Sequence, residues 1–201
     1  MYTFLKVKKP FFVFLIFVMS LPLFADFKVL AGLNISNYRV SDDIEWRPKP
    51  GFQGGIGIEF DLSYRTLVEF NVLIMQKNYM NKSDNAAGKY SLTSLSVPIL
   101  IRRTFFDHTS PYIVGGIEIG NMLSYSQKIE GEELPIDLSS TIKKRDLGLV
   151  IGGGFQFELS EELFLFFEFR YHSGIKNLLI EPPFGEWQKS GSVLFLIGVR
   201  S

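Results

Sequence analysis

Glu161-Glu162-Leu163-Phe164-Leu165-Phe166-Phe167-Glu168-Phe169-Arg170-Tyr171 is the stretch from which the rest of the chain can be read. From Leu163 the odd positions are Leu163, Leu165, Phe167, Phe169 and Tyr171, whereas the even positions are Phe164, Phe166, Glu168, Arg170 and His172. Successive side chains of a strand point to opposite faces. One face of this strand is therefore wholly apolar, and the other turns from apolar to an acid, a base and a histidine. A soluble sandwich would keep the charged face wet. The same pattern recurs about eight times behind an export signal, which favours the reverse arrangement: apolar face to lipid, charged face into a closed barrel.

The signal is residues 1–25. Lys6, Lys8 and Lys9 form a basic start, Phe11 to Phe24 is an apolar run broken by Pro22, and Leu23-Phe24-Ala25 offers a cleavage site before Asp26. These are the marks of a cleaved secretory signal peptide, and the run is short for a membrane span, which takes roughly 20 residues. Cleavage between Ala25 and Asp26 would leave residues 26–201 as one barrel domain. The removed segment takes three lysines and no acid from 21 basic and 21 acidic residues, so the remainder is formally −3 and gives no reason to expect nucleic acid. With no cysteine, the exported fold has no disulfide, no thiolate metal site and no acylated N-terminal cysteine. The 20 Phe, 8 Tyr and 18 Gly suit a lipid-facing barrel with aromatic girdles.

In chain order the alternation predicts strands over about Phe27–Tyr38, Gly51–Leu62, Arg65–Tyr79, Lys89–Phe105, Pro111–Ser126, Lys144–Leu159, Leu163–Tyr171 and a last one carrying Val193, Phe195, Ile197 and Val199. The fold class is thus all-β, an antiparallel transmembrane β-barrel of about eight strands. Links near 63, 107 and 161 are brief, and the other four are longer and polar: 39–50, 80–88, 127–143 and 174–189. Short turns belong at the periplasm and long loops outside. Pro98, inside the fourth strand, predicts a bulge or kink because it removes a ladder donor. Three-residue turns predict the pairs Asp61 with Arg65, Gly57 with Glu69, Gly154 with Glu168 and Gly152 with Arg170.

The inward charges are Lys28, Glu59, Asp61, Glu69, Arg102, Glu118, Glu158, Glu168, Arg170, His172 and Arg200. The interior of an eight-stranded barrel is just wide enough for side chains to fill, and isolated buried charges are too costly. These groups are therefore expected to form a structural acid–base network that plugs the lumen. His172-Ser173-Gly174 resembles the His-x-Ser-Asn motif of lipid A deacylase barrels, but adjacent strand residues face opposite ways, so a histidine–serine pair is not expected. His108 reads as a solvated turn residue. The acids Glu130, Glu132, Glu133 and Asp137 lack the spacing of a cation loop, and Gly152-Gly153-Gly154 lies in a strand with no helix to make a phosphate cradle.

Three segments in order, Ser96-Val97-Pro98-Ile99-Leu100-Ile101, Ser110-Pro111-Tyr112-Ile113-Val114-Gly115-Gly116 and Phe169-Arg170-Tyr171-His172-Ser173-Gly174-Ile175-Lys176-Asn177, resemble landmarks of the PorT-like outer-membrane β-barrel family. The resemblance implies a small barrel of the OmpX/OmpA type in the outer membrane of a diderm bacterium, with no shared catalytic residues; some members serve protein secretion. The chain departs from many barrels in ending on Val199-Arg200-Ser201 rather than an aromatic residue. The expected role is non-enzymatic and without cofactor or metal. The expected partners are outer-membrane lipid and lipopolysaccharide, with a protein partner reached through the extracellular loops. A deacylase-like hydrolase and a small-solute porin are the alternatives.

Overall fold

A computed structural model describes residues 25–40, 46–83, 86–129, 136–137, 143–176 and 188–201. The segment assigned to the export signal lies outside these residues except for Ala25, and so do Glu130, Glu132 and Glu133 of the acidic loop. The described elements are strands β1 (Asp26–Val40), β2 (Trp46–Ser63), β3 (Thr66–Ser83), β4 (Ala86–Thr104), β5 (Ser110–Ile129), β6 (Ile136–Asp137), β7 (Arg145–Ser160), β8 (Leu163–Gly174) and β9 (Gln188–Arg200).

Each long strand pairs antiparallel with its neighbour in the order β4-β3-β2-β1-β9-β8-β7-β5, and β4 pairs again with β5, so the sheet closes on itself. β1 zips to β9 from Lys28 opposite Arg200 to Val40 opposite Gln188. Beyond that seam Phe27 and Ser201 exchange backbone hydrogen bonds of 2.8 and 2.9 Å. The result is a closed antiparallel barrel of eight long strands with no free ladder edge among them. The two-residue β6 adds only a short flap against Ser126 and Gln127 of β5. The long strands run 12 to 20 residues, more than the 9–11 or so that a tilted strand needs to cross the hydrocarbon, so several rise past the membrane.

The alternation runs along every long strand and is interrupted on β2 and β5 by a bulge. Phe27, Val29, Leu33, Ile56, Val72, Ile74, Ile101, Ile117, Ile151, Phe169 and Ile197 are exposed on the outer wall, with Phe52 at 70% and Ile151 at 66%. Burying one such side chain is worth about 1.5–3 kcal/mol, so the wall is stable only against lipid. Inside, glycines leave holes for the long side chains opposite. A Cβ at Gly154 would collide with the Tyr112 ring, one at Gly198 with Phe166 and one at Gly148 with the His172 ring.

Four expectations are corrected. The loops assigned to 39–50 and 80–88 are largely strand: β2 begins at Trp46, β3 runs to Ser83 and β4 starts at Ala86. Within 127–143, β5 continues to Ile129 and β6 follows. No bulge occurs at Pro98. It stays in register opposite Glu118, while on the β3 side the pairing lapses between Phe70–Ile99 and Leu73–Ser96 and resumes unshifted. The β5 bulge lies instead at Leu123, between the pairs Ser94–Met122 and Thr93–Ser124. Finally, the β2–β3 register differs by two residues from that expected: Asp61 faces Leu67, Gly57 faces Asn71 and Glu59 faces Glu69. The turn holds two residues, Tyr64 and Arg65, with an irregularity between Asp61 and Ser63. The β7–β8 turn has the same build, Ser160 opposite Leu163 and Glu158 opposite Phe164. Phe-acid-Leu-Ser precedes both turns, as Phe60–Ser63 and Phe157–Ser160. Gly154–Glu168 and Gly152–Arg170 pair as expected.

Candidate functional site: the charged lumen

The corrected register sets two acids, Glu59 and Glu69, opposite each other on adjacent strands, an arrangement that is destabilising unless cations intervene. Four do. Lys28 Nζ sits between them, 3.0 Å from Glu59 Oε1 and 2.8 Å from Glu69 Oε2. Arg102 bridges both, with its Nε 2.7 Å from Glu69 Oε1 and its terminal nitrogen on Glu59. Arg170 reaches Glu69 at 3.4 Å and pairs with Glu168 two residues before it on β8. Arg200 donates to Glu59 Oε2 at 3.2 Å and lies 3.5 Å from Asp26. An alternating chain results, Arg200–Glu59–Lys28/Arg102–Glu69–Arg170–Glu168, laid across β9, β2, β1, β4, β3 and β8.

All of this is dry. Lys28, Glu69 and Arg102 are each 0% exposed. Aromatic rings cover the cations: Lys28 Nζ lies 4.4 Å from the Phe166 ring centre, the Arg102 guanidinium 4.8 Å from that of Tyr112 and the Arg200 guanidinium 4.3 Å from that of Phe164. Leu30, Leu73, Val114 and Leu196 pack with Phe166 and Tyr112 around it. Removing one partner of a buried pair strands the others, at about 3–5 kcal/mol, so the layer holds as a unit.

The expected residues thus divide into three places. Glu59, Glu69, Arg102, Glu168, Arg170 and Arg200 join in this layer toward the short-turn end. Glu118 and His172 form a separate, looser group toward the loop end, where His172 Nε2 lies over Gly148 and 3.8 Å from Glu118 Oε1. Near it Ser190 Oγ donates to Asp146 Oδ2 at 2.5 Å across the gap above Gly174. Lys77, Glu118, Asp146 and Ser190 border a cavity of about 30 Å³, room for about one water. Glu158 is not in the lumen network. It pairs with His108 in the β4–β5 turn, and Asp61 is exposed at the same rim.

Asp146 and Ser190 were missed as site residues, yet parity finds both: each lies two positions before a residue known to face inward, Gly148 and Ser192. His108 is the exposed turn residue expected, and from that turn, at φ 55°, it also pairs with Glu158. In the same turn Asp107 accepts hydrogen bonds from Tyr64 and Arg65, which keep its carboxyl below the usual carboxylate range.

Chemically, this interior is built for neutralisation. His172 is buried in the lumen and Ser173 lies on the other face, so the two do not meet. Among the described residues no three His, Asp or Glu side chains converge as a metal site would require.

The family model described as outer membrane protein beta-barrel domain matches residues 20–179. Among solved structures the chain is similar to the outer membrane protein OprG from Pseudomonas aeruginosa, at 14% identity and TM-score 0.58 over 88% of this chain and 95% of that one. It is also similar to Neisserial surface protein A, at 17% identity and TM-score 0.50 over 87% and 95%. At these identities the likeness is one of fold. No curated protein sequence matches the chain.

Proposed function

The chain belongs to the outer membrane protein β-barrel domain family, and from that premise we propose that it is a non-enzymatic barrel with a closed lumen, acting through its outer wall and loop end. Its place is the outer membrane, as the family and fold imply. The observation that carries the reading is the Lys28–Glu59–Glu69–Arg102 cluster. It fills one layer of the lumen with charges already paired to one another, which supports a plug rather than a conducting or catalytic bore. Specificity then belongs to the connecting segments at the loop end, the usual place for it: binding a partner, supporting the envelope or joining a secretion assembly. The three sequence landmarks support a place among PorT-like members and, with it, the secretion role.

Reconstitution tests the closed lumen. Liposomes bearing the full chain should not swell in isosmotic solutions of small sugars, and planar bilayers should show no steady ionic current. Rapid swelling or an ohmic step would instead support the small-solute porin reading. A deacylase would shorten purified lipid A in the presence of the protein, and that shortening should fail on replacing His172 by Ala. Unchanged lipid A with the native protein supports the non-enzymatic reading.

A further inference from the structure

On the outer wall at the loop end, just past the apolar band, three lysines gather within a run of four neighbouring strands, β2, β3, β4 and β5. Lys89 of β4 and Lys128 of β5 are directly opposite each other in register, and Lys49 of β2 pairs with Asn78 of β3. All three are exposed and line one groove of about 550 Å³ together with Gln76, Asn78 and Ser91. Like charges set directly opposite are destabilising. Among the described side chains no carboxylate pairs with any of these lysines; that of Asp137 lies outside them. Pairing brings one acidic position to the row's edge, Asp137 opposite Ser126.

Two backbone irregularities create this patch. On β2 the alternation that sends Gln53, Gly57 and Glu59 inward would send Lys49 inward too, but one extra residue between Lys49 and Gln53 turns it outward. On β5 the alternation that buries Glu118 and Met122 would bury Lys128, but the extra residue at Leu123 turns it outward beside Lys89. Bulges re-aim side chains in this way. The floor is held by hydrogen bonds from Gln76 Nε2 to Ser91 Oγ (3.3 Å), from Ser91 Oγ to Asn78 Oδ1 (3.1 Å) and from Asn78 Nδ2 to the Pro50 carbonyl (2.9 Å). Directly below lie Ile74, Leu95 and Leu123 of the lipid-facing wall.

We propose that Lys49, Lys89 and Lys128 form a binding site for the phosphate groups of an outer-leaflet glycolipid, the phosphorylated lipid A portion of lipopolysaccharide, whose acyl chains lie on the apolar wall beneath. The charge is complementary, the height is that of the headgroups, and the site is continuous with the surface that meets acyl chains. Basic side chains near a membrane surface capture anionic headgroups, and lysine stems reach along apolar wall to do so. The proposal rests on the outer-membrane reading but not on the lumen being closed, and its test reads lipid binding and no current.

The full chain, folded in detergent, is titrated with bisphosphorylated lipid A, with the same lipid stripped of phosphate, and with inorganic phosphate as competitor. Native mass spectrometry reads the bound lipid. Wild type should retain the phosphorylated lipid and not the stripped one. The triple change K49Q, K89Q, K128Q should weaken retention on the order of a hundredfold, with the compact band on unboiled gels unchanged. K89Q alone, which touches neither bulge, should give a smaller loss, and arginine at all three positions should restore binding. Equal retention by wild type and the triple variant, or equal binding of both lipids, overturns the proposal. Displacement of the lipid by low-millimolar inorganic phosphate would mean that the lysines take free phosphate rather than the lipid, and also overturns it.

Discussion

The two halves of the lumen are built differently. Toward the short turns, Glu59 and Glu69 are each held by two or more cations within 3.4 Å, and aromatic rings cover three of the four cations. Toward the loops, His172 and Glu118 stand 3.8 Å apart beside a small cavity. Both halves use inward-facing polar groups on the same eight strands. The difference is in how many partners each buried charge has. The interior of an eight-stranded barrel is just wide enough for side chains to fill, so one such filled layer is enough to block it.

If that comparison is right, the largest loss comes from the centre of the lower layer. Replacing Glu69 by Ala strands Lys28, Arg102 and Arg170 and should cost about 3–5 kcal/mol, read as a lower unfolding midpoint in urea on unboiled gels. An unchanged midpoint would mean that the layer is not a unit. Next come the glycine holes. At Gly154 a methyl group meets the Tyr112 ring and the Phe167 carbonyl, neither of which can retreat. G154A should therefore cost about 1–3 kcal/mol. At Gly148 the three atoms nearest the methyl group all belong to the end of one side chain, the His172 ring, so G148A should stay near 1 kcal/mol, the low end of that range. Equal effects would erase the distinction between the halves.

The smallest effect belongs to the turn outside both layers. Hydrogen bonds from Tyr64 and Arg65 hold the Asp107 carboxyl below its usual value of 3.8. A lowered folded value stabilises the protein above the unfolded value, and the stabilisation fades as pH falls through the folded one. D107N should leave the urea midpoint almost unchanged, because the pair is fully at the surface, with any difference present at pH 7 and gone once the pH has fallen below the folded value. A difference that grows on acidification would assign the turn another role.

Much of this was legible from the alternation in the sequence. It sorted inward from outward positions on every long strand, because a period of two admits no ambiguity while one face is apolar. It also named six of the seven charges in the lower layer as site residues and placed the seventh, Lys28, inside. Pairing between strands was less legible, since it depends on turn geometry. The shared Phe-acid-Leu-Ser before both turns at 60–63 and 157–160 was enough to give them one geometry, and Glu59 opposite Glu69 follows from it. Parity also ceases to be a guide beyond a bulge. The extra residues near Lys49 and at Leu123 leave no local mark in composition, so the outward lysine patch was invisible. Glu158 has the right parity but sits at the rim, where a turn residue, His108, takes it from the lumen.

The most direct test sets the halves against each other in planar bilayers. Wild type should carry no steady current. Replacing Arg102 and Arg170 together by Ala should open a small ohmic conductance, because the dry layer they close becomes wet. Replacing Lys77 and His172 by Ala should leave the bilayer silent. Current through the second variant, with none through the first, would contradict the account and move the plug to the loop end.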